Sequence, residues 1–147
     1  MTINLLTSDP RWRTSFKALR VDVRKASKLV LKNSDVKGVI ITIKFASDAE
    51  VHELNYHYRG KNKATNVLSF SNDEEPLGDI ILAYETVARE AKEQKKTFRA
   101  HTLHLVVHAT LHLLGYNHEK LKETEEMEAL EIAYLKRLRI ANPYESR

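Results

Sequence analysis

The spacing of hydrophobic and polar residues predicts alternating helices and strands along the chain. Apolar or small residues recur at every third or fourth position from Trp12 to Val30, which is typical of an amphipathic helix. Asp9-Pro10 fits the start of that helix, with aspartate as the N-cap and proline in the first turn. A β-branched stretch that alternates with polar residues predicts a strand at residues 39–45, and further strands are predicted at residues 3–6, 65–70 and 78–83, the last two separated by an acidic turn.

The remaining segments favour helices of different character. Residues 47–50 have the capping-box spacing and predict a short helix through Leu54, followed by a basic loop at residues 58–63. A polar helix at about 85–96 is expected at the surface, and a helix at 98–114, apolar apart from its histidines, is expected in the core. In a last helix at 121–140, an acidic first half and a basic second half match the helix dipole, so these charges indicate no functional site.

Composition limits the classes of protein to which the chain can belong. Its 147 residues, 42% of them hydrophobic, fit one domain spanning residues 1–147. No apolar run reaches the roughly 18 residues that span a bilayer, and the N-terminus lacks the features of a signal peptide. The absence of cysteine excludes a cysteine-ligated metal and favours the reducing cytoplasm. Because no apolar run is long enough to span a bilayer, no membrane partner is expected. A net charge of +4 favours a polyanionic partner without establishing one.

Five of the seven histidines lie between His101 and His118, and three of them have the spacing of a metal site. His108 and His112 are one helical turn apart, so they lie on one face of the predicted helix. Gly115 can end that helix in a left-handed conformation and turn the chain so that His118 returns toward the pair. Three imidazoles without a fourth protein ligand are typical of a catalytic zinc site with water in the open position.

Two other interpretations of these histidines compete with a hydrolytic zinc site. They could be hydrogen-bonded residues of the core, although burying three imidazoles is hard to justify by packing alone. The same spacing occurs in metzincin proteases, where a glutamate after the first ligand is the general base. Here that residue is Ala109, which disfavours peptide hydrolysis. We expect His104 to be structural or to support a ligand, and His52 and His57 to lie at the surface.

The sequence resembles the YbeY-type metal-dependent endoribonucleases over nearly its whole length. The histidine block from His108 to His118 carries the resemblance together with LNYHYRGK at 54–61, TNVLSF at 65–70, LGDI at 77–80 and EEMEALE at 125–131. Ala64, Ala109 and Asn117 stand where the family commonly has proline, glycine and aspartate. Asn117 removes a carboxylate beside the expected metal site, where it could orient a ligand.

The resemblance implies an α+β fold in which a small mixed sheet of about four strands packs with several helices and the histidine-bearing helix is central. It also implies one zinc ion held by His108, His112 and His118, with Arg59 and His108 as catalytic residues. An arginine at position 59 suits phosphodiester cleavage because a guanidinium can brace two phosphoryl oxygens at once. With Arg59, the neighbouring Lys61 and Lys63 are the expected RNA-binding residues.

By this resemblance the protein is expected to be a single-strand-specific, zinc-dependent endoribonuclease in ribosomal RNA processing, including maturation of the small-subunit RNA 3′ end, and in ribosome quality control. The implied partners are ribosomal RNA, the ribosome or its small subunit, a small-subunit ribosomal protein and an Era-type GTPase. Two alternatives stay open, namely a zinc-dependent hydrolase of peptides or small molecules and a non-catalytic ribosome-assembly factor. A stripe of cations on the first helix is most simply a solvated face and is a further candidate for phosphate contacts: Arg13, Lys17, Arg20, Arg24 and Lys28.

Overall fold

Four strands form one mixed sheet in the order β1 (Thr2–Thr7), β2 (Ile40–Ala46), β4 (Gly78–Ala83) and β3 (Val67–Ser71). The computed structural model describes residues 1–13, 16–59, 65–71, 77–116 and 120–145, without the side chains of residues 16, 17, 58 and 59. β1, β2 and β4 are parallel, with Ile3 opposite Ile41 and Ile43 opposite Ile80. β3 runs antiparallel to β4 and forms one edge of the sheet.

Helices cover both faces of this sheet: α1 (Phe16–Lys32), α2 (Asp48–Arg59), α3 (Tyr84–Glu93), α4 (Phe98–Leu113) and α5 (Leu121–Arg137). The larger core contains α1, α4, α5 and one face of the sheet, and includes Ile80 and Leu103, both fully buried. On the other face, beneath α2, Val51 packs with Leu68 and Ile81. Because α4 contacts α1, α3, α5 and the β3–β4 pair, it is the central helix. The predicted α+β fold with a central histidine-bearing helix is confirmed.

The beginning of the first predicted helix is a 3-10 turn in the structure, so the prediction of an α-helix from Asp9-Pro10 onward is wrong for this turn. Residues Pro10–Arg13 form one turn of 3-10 helix, and α1 begins at Phe16. Asp9 caps the 3-10 turn, since its Oδ1 accepts from the backbone N–H of Arg11 at 2.9 Å. Trp12 is buried, and its indole Nε1 donates to the carbonyl of Ala46 at 2.8 Å. This side chain therefore anchors the 3-10 turn to the end of β2.

The second helix is longer than predicted, because α2 continues through Arg59 instead of ending near Leu54. In its second half His57 lies 3.9 Å from Glu53, one helical turn earlier. No glycine or proline occurs in this stretch before Gly60, so nothing in the local sequence ends the helix earlier. Residues 58 and 59 consequently belong to α2 and not to the predicted basic loop.

The third predicted helix buries one face against the rest of the fold and leaves its other positions half-buried or exposed. α3 spans Tyr84–Glu93, and its Thr86, Val87 and Ala91 are buried. The backbone N–H and the hydroxyl of Thr86 donate to the two carboxylate oxygens of Asp48 at 3.0 and 2.7 Å. The start of α2 thereby holds the start of α3. Of the helices that the structure describes, none is long and apolar enough to cross a membrane.

Cations of α1 cover the open edge of β1. Arg20 Nη2 donates to the carbonyl of Leu5 at 3.5 Å, and Arg24 Nη1 donates to the carbonyl of Ile3 at 3.3 Å. Both carbonyls point away from β2, toward the outer edge of the sheet. An unprotected edge strand could pair with another chain there. Part of the predicted basic stripe therefore has a structural function at this edge.

Candidate metal centre

The histidines of interest lie on α4, whose two ends are both capped. At its start, the Thr97 hydroxyl accepts from the backbone N–H of Ala100 at 3.0 Å. At its end, the backbone N–H of Gly115 donates to the carbonyl of His112 at 3.0 Å, and that of Tyr116 donates to the carbonyl of Leu111 at 3.1 Å. This pair of bonds is a Schellman motif. Gly115 has φ +104°, so the predicted left-handed turn is confirmed.

His108 and His112 follow one another at the C-terminal half of α4, one turn apart and on one face. His108 is partly exposed, with 28% of its side-chain surface accessible. Its Nδ1 lies 2.5 Å from Oε1 of Glu131 on α5. Because the carboxylate accepts a hydrogen bond from Nδ1–H, the nitrogen that His108 presents to a metal is Nε2.

Glu131 is the residue that the sequence analysis missed, because no site was expected on the last helix. Its side chain has no solvent exposure. The signal was present in the spacing, since Glu131 stands four residues after Met127 and four before Leu135, which are both buried. A carboxylate in the apolar stripe of a helix needs buried partners. The exposed acidic residues of α5, by contrast, fit the helix-dipole interpretation.

Three donors from two other segments satisfy the buried carboxylate. Besides His108, His104 Nε2 donates to Oε2 of Glu131 at 3.3 Å, and the hydroxyl of Tyr144 donates to the same oxygen. Burial by itself raises the pKa of Glu131, but the hydrogen bonds from His104, His108 and Tyr144 outweigh it and hold the pKa at about 2. Glu131 is therefore an anion at neutral pH. His104 supports His108 through it, in agreement with the expectation for His104.

A second buried contact fixes the beginning of α4. Oε1 of Glu90 on α3 accepts from His101 Nε2 and from the amide of Asn66, each at 2.9 Å. His101 is 2% exposed, and burial lowers its pKa against the opposing effect of Glu90. Asn66 lies just before β3 and belongs to one of the sequence blocks behind the resemblance. His101 thus ties α4 to α3 and to the β3 edge.

Several predicted site residues lie outside the described residues. These are Lys61, Lys63, Asn117 and His118, together with the side chain of Arg59, whose backbone ends α2. Within the described ranges, no three histidine, aspartate or glutamate side chains are grouped so that they could hold a metal ion. The structure thus places two of the three predicted ligands on α4 and does not describe the third.

The described part of the centre fits zinc in the chemistry of its donors. Zinc binds neutral imidazole nitrogen, and a zinc-ligating histidine typically donates its other ring N–H to a carboxylate. His108 has this arrangement already in the protein alone, through Glu131. His112, one turn later, adds a second imidazole on the same face.

Comparison with known proteins assigns the chain to a family. A sequence profile described as Endoribonuclease YbeY matches residues 7–139, which include α4 and α5. The chain belongs to the YbeY endoribonuclease family. Proteins named Endoribonuclease YbeY from Bartonella henselae and Acinetobacter baylyi are 40% and 46% identical to it. Their alignments cover 98% and 86% of this chain and 97% and 87% of the two relatives.

A solved structure agrees with the fold. The solution structure of TM1509 from Thermotoga maritima matches this chain with a TM-score of 0.65 and 25% sequence identity. The match covers 99% of this chain and 97% of the Thermotoga maritima chain. The YbeY family is named for an endoribonuclease activity, which is a hydrolase activity.

Proposed function

We propose that this protein is a zinc-dependent endoribonuclease that cleaves single-stranded RNA during ribosomal RNA processing. The observation that carries the proposal is the hydrogen bond of 2.5 Å between His108 and the buried Glu131, inside the segment that matches the YbeY family. Burying an anion costs stability unless hydrogen bonds satisfy it, and Glu131 accepts from His104, His108 and Tyr144. A histidine held in this way is suited to bind a metal.

The histidines would hold the ion, and other residues would handle the RNA. His108 and His112 on α4, with His118 beyond the Gly115 turn, are the proposed ligands. When bound, zinc supplies Lewis-acid stabilisation of phosphoryl charge and lowers the pKa of a coordinated water. Glu131 remains ionised and keeps the Nδ1 proton of His108 in place. The proposed role of Arg59 is to bind the phosphoryl oxygens as their negative charge increases.

A surface on α1 supports binding of a polyanion away from the centre. We call the cations around a depression of about 410 Å³ the α1 basic face, in which Arg24 is half-buried and the others are exposed: Arg20, Arg24, Lys25 and Lys28. Asp22 lies in the same helix, but its carboxylate accepts from Arg99 Nε at 2.8 Å and is neutralised there. The proposed contacts of this face are RNA phosphates, in addition to those of Lys61 and Lys63.

The biological setting follows from the family and is part of the proposal. The substrate would be the 3′ end region of small-subunit ribosomal RNA, and the same activity would remove defective ribosomes. The proposed partners of the protein are the small ribosomal subunit, one of its proteins and an Era-type GTPase. The setting would be the cytoplasm.

An RNA cleavage assay with matched variants tests the proposal. We expect His112→Ala to lower the cleavage rate of single-stranded RNA by roughly 100-fold or more, because it removes a ligand. We expect Arg59→Glu to lower it by about 100-fold, and His57→Ala, at an exposed histidine on α2, to leave it unchanged.

The outcome separates the competing functions. Activity that survives chelation and both substitutions would come from a contaminant and would defeat the proposal. Zinc-dependent hydrolysis of peptides, insensitive to Arg59→Glu, would favour the hydrolase alternative. RNA binding without cleavage would favour an assembly factor.

A further inference from the structure

Tyr144 reaches the candidate metal centre from the segment that follows α5. This residue lies beyond positions 7–139, which match the YbeY family. Its backbone N–H donates to Oδ1 of Asn142 at 2.8 Å, so a short local turn fixes its position. Its ring meets the ring of His104 edge-on, with centroids 5.5 Å apart. The aromatic ring therefore packs against His104, which lies one helical turn before His108 on α4.

The hydroxyl of Tyr144 and the imidazole of His108 bind opposite oxygens of one carboxylate. Oε1 of Glu131 faces His108, whereas Oε2 faces the Tyr144 hydroxyl and, at 3.3 Å, Nε2 of His104. A carboxylate held at one oxygen can still rotate about its side-chain torsion angles, and one held at both oxygens cannot. Tyr144, with the longer contact from His104, is thus placed to fix the direction of the Glu131 oxygen that contacts His108.

We propose that Tyr144 is a positioning residue whose hydroxyl fixes Glu131, which in turn holds His108 as the Nδ1–H tautomer with Nε2 directed to a metal. The inference rests on the proposed function for the identity of the metal but not for the contacts themselves. Among the contacts described, the Tyr144 hydroxyl also lies 3.3 Å from Nε2 of His104, and it reaches His108 through the Glu131 carboxylate.

The burial of Glu131 explains how its contact with the Tyr144 hydroxyl can affect His108 on the other side of the carboxylate. Glu131 has no solvent exposure, so water does not compete for Oε2. Removing the Tyr144 hydroxyl leaves that oxygen with the longer bond from His104 as its described contact. An under-satisfied buried carboxylate changes its orientation or its partners. The hydrogen bond between His108 Nδ1 and Glu131 Oε1 would change with it.

The test compares Tyr144→Phe with wild type in two measurements. The first is a histidine ring ¹⁵N spectrum of the metal-free protein at pH 8, which reports the tautomer of His108. We expect a single Nδ1–H tautomer in the wild type and a mixture in Tyr144→Phe. The second is zinc affinity by competition with a chromophoric chelator, where we expect a loss of about tenfold, as for other residues that support a ligand.

Two further variants keep the test decisive. Glu131→Gln retains the shape of the side chain and should reproduce the tautomer mixture with a larger loss of zinc affinity. Tyr134→Phe is the matched control, because that hydroxyl accepts from Asn33 at 3.3 Å, away from the centre. It should match the wild type in both measurements.

The result that overturns the inference is a Tyr144→Phe protein with the wild-type His108 tautomer, or a Tyr134→Phe protein with the same loss as Tyr144→Phe. Because the ¹⁵N spectrum needs neither zinc nor RNA, this failure is distinct from a failure of the proposed function. That failure would appear instead as absent zinc binding or absent RNA cleavage in the wild type.

Discussion

His108 Nδ1 and Glu131 Oε1 lie 2.5 Å apart, and this contact joins two helices whose sequences are separated by the Gly115 turn. The carboxylate is fully buried, and the imidazole is partly exposed. The buried partner therefore fixes the orientation of the accessible one. This is the arrangement by which proteins prepare a histidine for metal binding.

Glu131→Ala should lower the free energy of unfolding by about 3 kcal/mol, because it removes the buried acceptor of three hydrogen-bond donors. Chemical denaturation of the metal-free protein measures this change. Glu126→Ala, at an exposed position of the same helix, is the control and should change stability by less than about 0.5 kcal/mol. Equal effects of the two substitutions would show that the buried contacts contribute nothing specific.

His101 should make the protein less stable as the pH falls below its ordinary pKa of 6.5. Burial lowers its pKa in the folded state, against the hydrogen bond that His101 donates to Glu90 and together with the charges of His104 and Lys96. The unfolded chain then binds more protons than the folded chain in this range, so stability is present above pH 6.5 and is lost toward acid.

Urea unfolding of the wild type and of His101→Gln between pH 7.5 and 5.5 measures the contribution of this histidine. The variant should lose less stability over that range than the wild type does. His57→Gln, at an exposed histidine, should follow the wild type. Parallel curves for the wild type and His101→Gln would refute the prediction.

Gly115→Ala should weaken zinc binding in addition to lowering stability. An L-residue at φ +104° is strained by about 1–3 kcal/mol, and the turn leads directly to His118, the third proposed ligand. Gly38→Ala is a matched control, because Gly38 has φ +67° and a Cβ there, as at Gly115, would meet no atom within 4 Å. We expect both variants to lose stability but only Gly115→Ala to lose zinc affinity in chelator competition. Equal zinc affinities of Gly115→Ala and Gly38→Ala would show that the turn at Gly115 does not contribute to zinc binding.

Reversing charges on the α1 basic face should weaken RNA binding and its dependence on salt. Lys25→Glu with Lys28→Glu removes two proposed phosphate contacts, so the slope of log affinity against log salt should fall by roughly 1.4 for single-stranded RNA. Lys37→Glu with Lys92→Glu makes the same change in net charge at other exposed positions and should preserve the slope. Fluorescence anisotropy between 50 and 300 mM salt is the measurement. Identical slopes in the two double variants would exclude this face as an RNA contact.

The local elements were predictable because each depends on nearby residues. Strand β4 was predicted at its observed bounds after an acidic turn, and the left-handed Gly115 from its place after the histidine helix. The end of α2 was missed because a histidine- and tyrosine-rich stretch gives no strong stop or continuation signal.

The carboxylate of the centre was missed for a different physical reason. Glu131 and His108 are 23 residues apart and meet only because α5 packs against α4. An acidic helix in the sequence looks solvated, and only its register with Met127 and Leu135 reveals one buried member. Tyr144 carries no such signal, since its contact depends on the course of the chain after α5.

Zinc removal and stoichiometric return would decide whether the histidine centre is the site of RNA cleavage. The protein is stripped with a chelator, and cleavage of single-stranded RNA is followed as zinc is added back. We expect no cleavage by the stripped protein, full recovery at one zinc ion per chain, and no recovery in His112→Ala. Full cleavage by the stripped wild type, or full recovery in His112→Ala, would contradict a metal-dependent mechanism at His108 and His112.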